Sequence, residues 1–351
     1  MTREGSLDPP ATIRPYAEGD REQLPALFRR CFNKTVSAAH LDWKHKARWP
    51  EVPNRWVALQ GERLIGGYTG LPIELGFMER GLRAMIAVDG MVHPDYRRRG
   101  VLTQLVTRAH QSWTRHGVGL VLGLPNHQWG SRREALAWRY AFPLKWKLRP
   151  LKPGTLLAGK TAFFPEFLAK ISDRLAGFGL PKNGSETTGS PVLDPAAALV
   201  PHRPAHSGKI RPSDDPEWVT WRYLEEPGGA YRLIPNREAA RRGGFAVYRI
   251  DRTPRGNIGF IADLAVAPGD AASRTYLLNQ IMRAFYRENV VLAATLAVPG
   301  SAWNRQLNRR GFLFSWGAFD VNMVLLDPEL SWRWLKKPAH WSLPGGLFDV
   351  V

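Results

Sequence analysis

The residues best suited to chemistry lie in the stretch VHPDYRRRGVLTQLV at positions 92–106. Here an apolar strand ends at Pro94, three arginines and Gly100 follow, and a helix begins without an obvious Ser or Asp to cap it. The first amide N–H groups of such a helix have no acceptor within the helix, and the helix dipole makes this end positive. Gly100 lets the backbone approach a ligand, and arginines add charge-assisted hydrogen bonds to anionic oxygens. The stretch therefore predicts a phosphate or pyrophosphate site, with a basic turn at a surface helix as the alternative.

Strands and helices on both sides are expected to position this loop. RAMIAVDGMVHP predicts a strand, RGVLTQLVTRAHQSWTRHG a helix closed by Gly117, VGLVLGLP a second strand and SRREALAWRYAF a second helix. Upstream, ATIRPYAEGDREQLPALFRRCF predicts a short strand and an amphipathic helix, and RWVALQGERLIGGYTGLPIEL predicts a hairpin. The order favours a βαβ crossover whose two strands are parallel or splayed.

The second half of the chain repeats features of the first. DGMVHP at 89–94 matches DLAVAP at 263–268 in the spacing of Asp, Val and Pro, and LDWKH at 41–45 has a counterpart in VTWRY at 219–223. Two copies of one domain fold explain this recurrence. A stretch rich in Pro, Gly, Ser and Ala at 180–209 is typical of a linker. We therefore expect a first module at 1–150, an apolar helix and linker at 151–209, and a second module with a tail at 210–351.

Composition and charge narrow the class of protein without identifying a partner. The net charge is +18, from 49 Lys and Arg against 31 Asp and Glu, which favours an anionic ligand or surface; a basic, solvated surface is the alternative. We expect a cytoplasmic protein, because no signal peptide or membrane-length apolar run is visible and the single cysteine, Cys31, cannot form an internal disulfide. The nine histidines lack Cys or carboxylate partners at metal-ligand spacing, and no G-x-S-x-G turn occurs, so neither a metal site nor a serine nucleophile is predicted.

The first half of the chain resembles the GNAT superfamily of acyl-CoA N-acyltransferases. The resemblance rests on the order of its elements: a strand, the loop VHPDYRRRGVL, a helix, a second strand that ends in PN, and a second helix that ends in Phe. The signature loop of that family reads Gln or Arg, two residues, Gly, one residue, then Gly or Ala. Arg97 and Gly100 match it, whereas Leu102 stands where Gly or Ala is usual. The resemblance covers most of 11–148 and much less of 210–326, where APGDAASRTYLL has no basic glycine loop. The chain is thus similar to tandem GNAT proteins with a degenerate second module.

The resemblance implies a fold and a cofactor site. It implies an α/β protein of two modules, each a mixed twisted sheet flanked by helices with one splayed pair of strands. Acyl-CoA, carrying acetyl or a longer chain, would lie between the splayed strands. The pantetheine arm would contact the main chain of Met91 and Val92, and the side chain of Asn126 would contact its thiol end or serve as a turn residue. The pyrophosphate would contact the loop residues Arg97, Arg98, Arg99, Gly100, Val101, Leu102 and Thr103.

Transfer of an acyl group from a thioester to an amine needs a deprotonated amine, a stabilised oxyanion and a proton for the leaving thiolate. Asp89 is the candidate to position or deprotonate the amine through water, and a structural role is the alternative because Asp263 recurs in the second half. Many family members carry a Tyr five residues before the Phe of the last Gly-Phe pair, but Ala137 and Leu307 stand there. Tyr140 and His127 are the nearby candidates for the acid, with packing or surface roles as alternatives.

The predicted function is an N-acyltransferase that uses acyl-CoA to acylate an amine of a small molecule or peptide. The alternative is a non-enzymatic GNAT-like module that binds nucleic acid or a carrier or peptide partner. Nucleic acid is disfavoured because aromatic and basic residues do not interleave as they do on a stacking platform. The apolar, Lys- and Arg-flanked stretch 156–180 predicts an amphipathic helix that packs on its own domain or contacts a membrane surface, an acyl chain or a partner such as acyl carrier protein.

Overall fold

The computed structural model describes residues 10–77, 80–125, 135–158, 210–212, 215–236, 243–254, 256–267 and 269–348. Asn126, His127, most of the stretch 156–180 and the linker at 180–209 lie outside these residues, so the predictions made for them stay predictions. The chain divides into two compact units, each assembled from two stretches. The first unit combines 1–142 with 320–337, and the second combines 143–319 with 338–351.

The strands are β1 (Thr12–Pro15), β2 (Arg55–Gln60), β3 (Arg63–Phe77), β4 (Arg80–Val92), β5 (Leu120–Gly123), β6 (Arg139–Pro150), β7 (Arg211–Pro212), β8 (Tyr231–Pro235), β9 (Phe245–Thr253), β10 (Gly256–Ala265), β11 (Val290–Ala297) and β12 (Phe314–Leu325). The helices are α1 (Leu24–Phe32), α2 (Ala38–Lys44), α3 (Val101–Arg115), α4 (Pro153–Ala158), α5 (Pro216–Val219), α6 (Ala271–Arg287), α7 (Ala302–Arg309) and α8 (Trp332–Leu335). No helix of the described residues is long and apolar enough to cross a membrane.

In the first unit the sheet has the order β1-β2-β3-β4-β5-β12. Strands β4 and β5 are parallel, and every other pair of neighbouring strands in this order is antiparallel. Its outer strand comes from late in the sequence, since residues 322–325 of β12 pair with β5. The predicted hairpin is confirmed as β2 and β3, joined by a turn in which Gly61 has a φ of 57°. A short turn needs this left-handed backbone, which glycine adopts without a steric penalty.

Helix α3 crosses between the parallel strands and buries one face on the sheet. Its buried side chains recur at helical spacing, and they are Val101, Leu105, Val106, Ala109, Ser112 and Trp113. The ring of Trp113 stacks on Tyr68 at 5.6 Å between centroids, and its Nε1 donates to the carbonyl of Pro53 at 2.8 Å. The helix that begins at the predicted phosphate loop is therefore fixed to the sheet at its far end.

In the second unit the sheet has the order β6-β11-β10-β9-β8, and again one pair, β10–β11, is parallel. Helix α6 connects these two strands and buries an apolar face that includes Leu277, Ile281 and Phe285. Both units thus contain a strand, a helix and a parallel strand in the same order. The predicted α/β class, with a mixed sheet flanked by helices, is confirmed.

One predicted helix is wrong in part. The stretch SRREALAWRYAF was expected to be helical throughout, but residues 139–142 begin strand β6. Ala137 has a φ of 58°, a left-handed conformation that ends a right-handed helix. The helical spacing of the apolar residues did not reveal this break.

Replacement of Gly70 by Ala tests how closely α3 packs on strand β3. An added Cβ would lie 2.7 Å from two ring atoms of Trp113, so the helix or the strand must shift. We expect Gly70→Ala to lower the free energy of unfolding by about 1–3 kcal/mol. Gly19→Ala is the matched control because nothing lies within 4 Å of its added Cβ. Urea denaturation followed by tryptophan fluorescence measures both, and equal midpoints for the two variants would contradict this packing.

Candidate functional site

The loop between β4 and α3 presents backbone amides that the helix does not use. A short turn at Pro94–Tyr96 leads into Arg98 and Gly100, whose φ angles of 63° and 73° are both left-handed. The first helical hydrogen bond runs from the N–H of Gln104 to the carbonyl of Gly100 at 3.0 Å. The amides of the first helical turn therefore have no acceptor within the helix. The predicted start without a side-chain cap is confirmed, and its geometry suits an anion.

The three arginines of the loop are exposed, and they differ in their contacts. Arg97 folds back on the strand, where its Nε donates to the carbonyl of Val92 at 3.1 Å. The guanidinium of Arg99 lies 5.7 Å from the ring centre of Tyr96. Arg97 thus braces the loop against the end of β4, which leaves Arg98 and Arg99 as the arginines best placed to meet an anion at the loop.

Strands β4 and β5 pair over a short length and then part. Residues 84–87 of β4 pair with residues 120–123 of β5, where β5 ends, while β4 continues to Val92 and pairs there only with β3. The ring of Trp138 packs at the point of parting: a Cβ on Gly123 would lie 2.9 Å from this ring and 3.6 Å from the Cβ of Ala87. The edge of β4 beyond residue 87 is left without a strand partner among the described residues.

At the end of β4 the backbone N–H and C=O groups of successive residues point alternately toward β3 and toward the opposite edge of the strand. The N–H of His93 donates to the carbonyl of Ile65 on β3 at 2.8 Å. Successive residues of a strand alternate in direction, so the polar groups of Val92 face the edge without a strand partner. There the Val92 carbonyl accepts from Arg97, which leaves its N–H for a ligand. Met91 is buried and pairs with Gly67 on the β3 side.

Asp89 lies at an irregular point of β4. Thr69 pairs with Val88 and Gly67 pairs with Met91, so Asp89 and Gly90 together face one residue of β3. This is a β-bulge, and it gives Asp89 a φ of 50°, which is uncommon for a residue other than glycine. Bulges re-aim side chains, and this one turns the Asp89 carboxylate toward α2 and the residue that follows it.

Asp89 belongs to a buried charged cluster with two neighbouring residues. Its Oδ1 accepts from Nζ of Lys44 at 2.9 Å, and its Oδ2 is 2.7 Å from Nε2 of His45. The exposed fractions of the three side chains are 9% for Asp89, 5% for Lys44 and 1% for His45. Burial of an unpaired charge costs several kcal/mol, so the carboxylate of Asp89 and the ammonium of Lys44 stabilise the folded state only as a pair.

The protonation of this cluster follows from burial and hydrogen bonding. Burial by itself raises the pKa of Asp89, but the hydrogen bond from His45 and the charge of Lys44 outweigh it and lower the pKa from 3.8 to about 2. Burial lowers the pKa of His45 more strongly than Asp89 raises it. His45 is therefore neutral and donates its Nε2–H to Asp89, which assigns the lone pair to Nδ1. That Nδ1 is buried without a hydrogen-bond partner in the described part of the chain.

A second histidine, His110, belongs to α3 and is half-buried. Nε2 of His110 is 3.0 Å from the hydroxyl of Tyr68, the residue that faces the Asp89 bulge. Burial lowers the pKa of His110 to about 4 and raises the pKa of Tyr68 far above its usual value. Both groups are neutral near pH 7, so they act as a packed, hydrogen-bonded pair and not as a charge.

The structure brings together only some of the residues predicted to act in the site. The loop 97–103 and the strand end at Met91 and Val92 are contiguous, and Asp89 lies two residues before them on the same strand. Tyr140 is on β6, is 51% exposed, and has a pKa raised by burial and by the charge of Asp320. Asn126 and His127 are outside the described residues. No group of three or more potential metal ligands occurs within the ranges that the structure describes.

Sequence reasoning missed Lys44 and His45 as partners of Asp89. A signal was present, because LDWKH and VTWRY recur at matching places before the two aspartates. The second unit repeats part of the contact: the hydroxyl of Tyr223 donates to Oδ2 of Asp263 at 3.2 Å. Two recurring segments that contact each other in both halves could have been paired from the sequence alone.

The start of α6 in the second unit differs from the start of α3. Asp270 caps it: its Oδ1 accepts from the N–H of Ser273 at 2.9 Å, and its Oδ2 accepts from the hydroxyl of Ser273 at 2.7 Å. Gly345, near the end of the chain, lies where β10 and β11 part, since its Cβ would be 3.2 Å from the N of Leu296 and 3.4 Å from the O of Ile261. The second unit thus has a carboxylate at the start of the helix and a chain segment beside the parting strands, and the described residues of the first unit show neither.

Comparison with known proteins finds one family of domains that part of the first unit resembles. Residues 12–133 match the model of the acetyltransferase (GNAT) domain. No curated protein sequence gives a significant match to the chain.

Solved structures resemble the whole chain at low sequence identity. A GCN5-related N-acetyltransferase from Anabaena variabilis has a TM-score of 0.57 at 12% identity, over 90% of this chain and 73% of that one. One from Kribbella flavida has a TM-score of 0.56 at 12% identity, over 90% and 71%. Eis1 from Mycobacterium abscessus has a TM-score of 0.56 at 16% identity, over 91% and 74%. At these identities the likeness shows the fold.

Replacement of Asp89 tests the buried cluster. The folded-state pKa is below the unfolded one, so ionised Asp89 stabilises the fold above about pH 4, and this stability is lost as the pH falls toward 2. The shift corresponds to roughly 2 kcal/mol. Asp89→Asn leaves Lys44 buried without its counter-ion, so we expect a loss of about 3–5 kcal/mol at pH 7.

The measurement is the melting temperature of wild type and Asp89→Asn at pH 7 and pH 3. The difference in melting temperature between the two proteins is expected to be smaller at pH 3 than at pH 7, because the wild type loses part of the stability that ionised Asp89 contributes. Glu18→Gln is the control, since Glu18 is 82% exposed and its replacement leaves stability within about 0.5 kcal/mol. A gap that is the same at both pH values would contradict the ionised cluster.

Proposed function

We propose that this chain is an N-acyltransferase that transfers an acyl group from acyl-CoA to an amine of a small molecule or peptide, a proposal that the match of residues 12–133 to the acetyltransferase (GNAT) domain supports. One observation carries the proposal. The uncapped start of α3 follows directly after the edge of β4 that has lost its strand partner. A phosphate cradle next to an open strand edge suits a long ligand with a pyrophosphate at one end and an amide-bearing arm at the other.

The residues of the loop fit a pyrophosphate. A Cβ at Gly100 would meet only Nε2 of Gln104, at 3.8 Å, so the loop surface is open at this point. The exposed arginines and the net charge of +18 attract an anion. We propose that the donor is held by the main chain at Val92 and by the loop 97–103. The main chain of Met91, which was also predicted to hold it, pairs with Gly67 of β3 instead. Asn126 stays a candidate for the thiol end.

When bound, acyl-CoA supplies an activated thioester carbonyl, and the chain's own residues orient it and move protons. Of the two roles predicted for Asp89, positioning fits best, because both of its oxygens already accept hydrogen bonds and its pKa is about 2. Asp89 then holds the bulge of β4, and with it the strand end that aligns the donor. We propose Tyr140 as the acid that protonates the leaving thiolate, with His127 as the alternative.

We propose that the second unit is a degenerate copy without a donor site. The shared order of strand, helix and parallel strand and the paired contacts of Asp89 and Asp263 support common ancestry. The carboxylate of Asp270 accepts from the amide of Ser273 at the start of α6, and its negative charge repels phosphate. On this proposal the donor site lies in the module 1–150, 151–209 is a connector, and 210–351 is the second copy.

The donor site predicts that CoA and acetyl-CoA stabilise the folded protein, because a ligand that binds only the folded state raises its stability. We expect Gly100→Asp to abolish the rise in melting temperature, since it places an anion in the cradle. Gly100→Ala is the matched control: its Cβ meets open space, so it loses about 1–2 kcal/mol of stability from the left-handed φ but keeps the CoA-induced rise.

Calorimetric titration with CoA gives the affinity of all three proteins. Equal CoA affinity in folded Gly100→Asp and in wild type would refute the site. Retention on DNA that is lost at high salt, without any CoA binding, would favour the non-enzymatic alternative.

The proposed acid predicts a change in turnover and not in donor binding. We expect Tyr140→Phe to lower kcat roughly 100-fold with little change in the KM for acetyl-CoA. Tyr286→Phe is the control because Tyr286 is also exposed, at 58%, and lies on α6. Thiol release with a panel of primary amines measures the rate, and an unchanged kcat in Tyr140→Phe would exclude this tyrosine and leave His127 to be tested.

A further inference from the structure

The second unit contains a cavity of about 410 Å³ that the proposed acyl transfer does not use. It lies between β10, α7, the first turn of α6 and residues 342–345. Its volume is within the range of sites that hold small molecules. The start of α6 next to it is capped by Asp270, so a phosphate group is not the ligand chemistry that this cavity favours.

The walls of the cavity are mainly apolar and aromatic. Trp218, Phe245 and Trp303 contribute rings, and Leu264 and Val266 contribute aliphatic surface. Such walls favour a ligand with an apolar body, because burial of apolar surface supplies most of the binding free energy of small molecules.

One cation of the lining has no bonded counter-ion. The Arg274 side chain makes no hydrogen bond or ion pair with another residue of the described ranges, and the charge that acts on it is Asp270. Both oxygens of Asp270 are already bound to Ser273. Burial lowers the pKa of Arg274 more strongly than the charge of Asp270 raises it. The lining also includes Arg211 and Asp263, which carry opposite charges, so Arg274 is the cation of the lining that a small anion would meet.

One acceptor of the lining is unsatisfied. Oε1 of Gln306 is buried and has no hydrogen-bond partner within the part of the chain that the structure describes. An acceptor that loses its hydrogen bonds to water on folding and forms none in the protein destabilises the folded state. Such an atom in a side chain that lines a cavity indicates that a bound ligand supplies the hydrogen-bond donor.

We infer that this cavity binds a small organic carboxylate with a ring-sized apolar body and one N–H or O–H donor. The carboxylate pairs with Arg274, the donor bonds to Gln306, and the apolar body packs among Trp218, Phe245 and Trp303. N-acylated aromatic amino acids have this combination of groups, and the site is separate from the loop 97–103 of the other unit.

The test uses N-acetyl-L-phenylalanine as the probe and N-acetyl-L-phenylalaninamide as its neutral match, with calorimetry on the full chain. We expect saturable binding of the acid, at least 10-fold tighter than binding of the amide, because the pair with Arg274 is charge-assisted. Arg274→Gln is expected to remove this 10-fold preference and to leave CoA affinity unchanged.

A second variant examines the unsatisfied acceptor. Gln306→Met keeps the length of the side chain and removes the buried oxygen, so we expect the melting temperature without ligand to stay the same or rise, while affinity for the acid falls several-fold. Gln111→Met is the control on α3, where the glutamine is exposed, and it is expected to change neither quantity.

The inference is overturned if the acid gives no saturable binding at millimolar concentration, or if acid and amide bind equally to the wild type. It is also overturned if Arg274→Gln binds the acid as tightly as wild type does, or if CoA displaces the acid, which would place the acid in the donor site.

Discussion

Strands β4 and β5 part after Ala87 and Gly123, and the first unit is organised around that parting. Paired strands would satisfy each other's backbone groups and leave no room for a ligand. Here the ring of Trp138 packs at the end of the paired stretch, and β4 runs on alone into the loop before α3. The open edge and the free amides of α3 are therefore neighbours along one short piece of chain, and a single extended ligand can use both.

The two units differ at the start of the helix that connects their parallel strands. In the first unit Gly100 precedes α3 and supplies no side chain to its amides. In the second, Asp270 bonds to Ser273, and Gly345 lies where β10 and β11 part. One capping carboxylate is enough to change a helix start from attracting to repelling phosphate, because it satisfies an amide and adds a negative charge at the same place.

The buried cluster of Asp89, Lys44 and His45 connects the bulge of β4 to the end of α2. A left-handed aspartate in a strand is costly, and it persists because two donors hold its carboxylate. The cluster lies within two residues of Met91, so it fixes the backbone that would align the donor. Nδ1 of His45 carries a lone pair and has no hydrogen-bond partner among the described residues.

Local sequence patterns were enough to predict the α/β class, the hairpin at β2 and β3, and the uncapped loop before α3, because capping, turns and side-chain periodicity act between near neighbours in the chain. The folded chain was needed to show that residues 322–325 pair with β5, that Lys44 and His45 hold Asp89 across more than forty positions, and that β6 begins at Arg139. These features depend on which distant groups meet in the folded chain. A pattern of residue types records that a carboxylate needs a partner when it is buried, but it does not record which partner the fold brings.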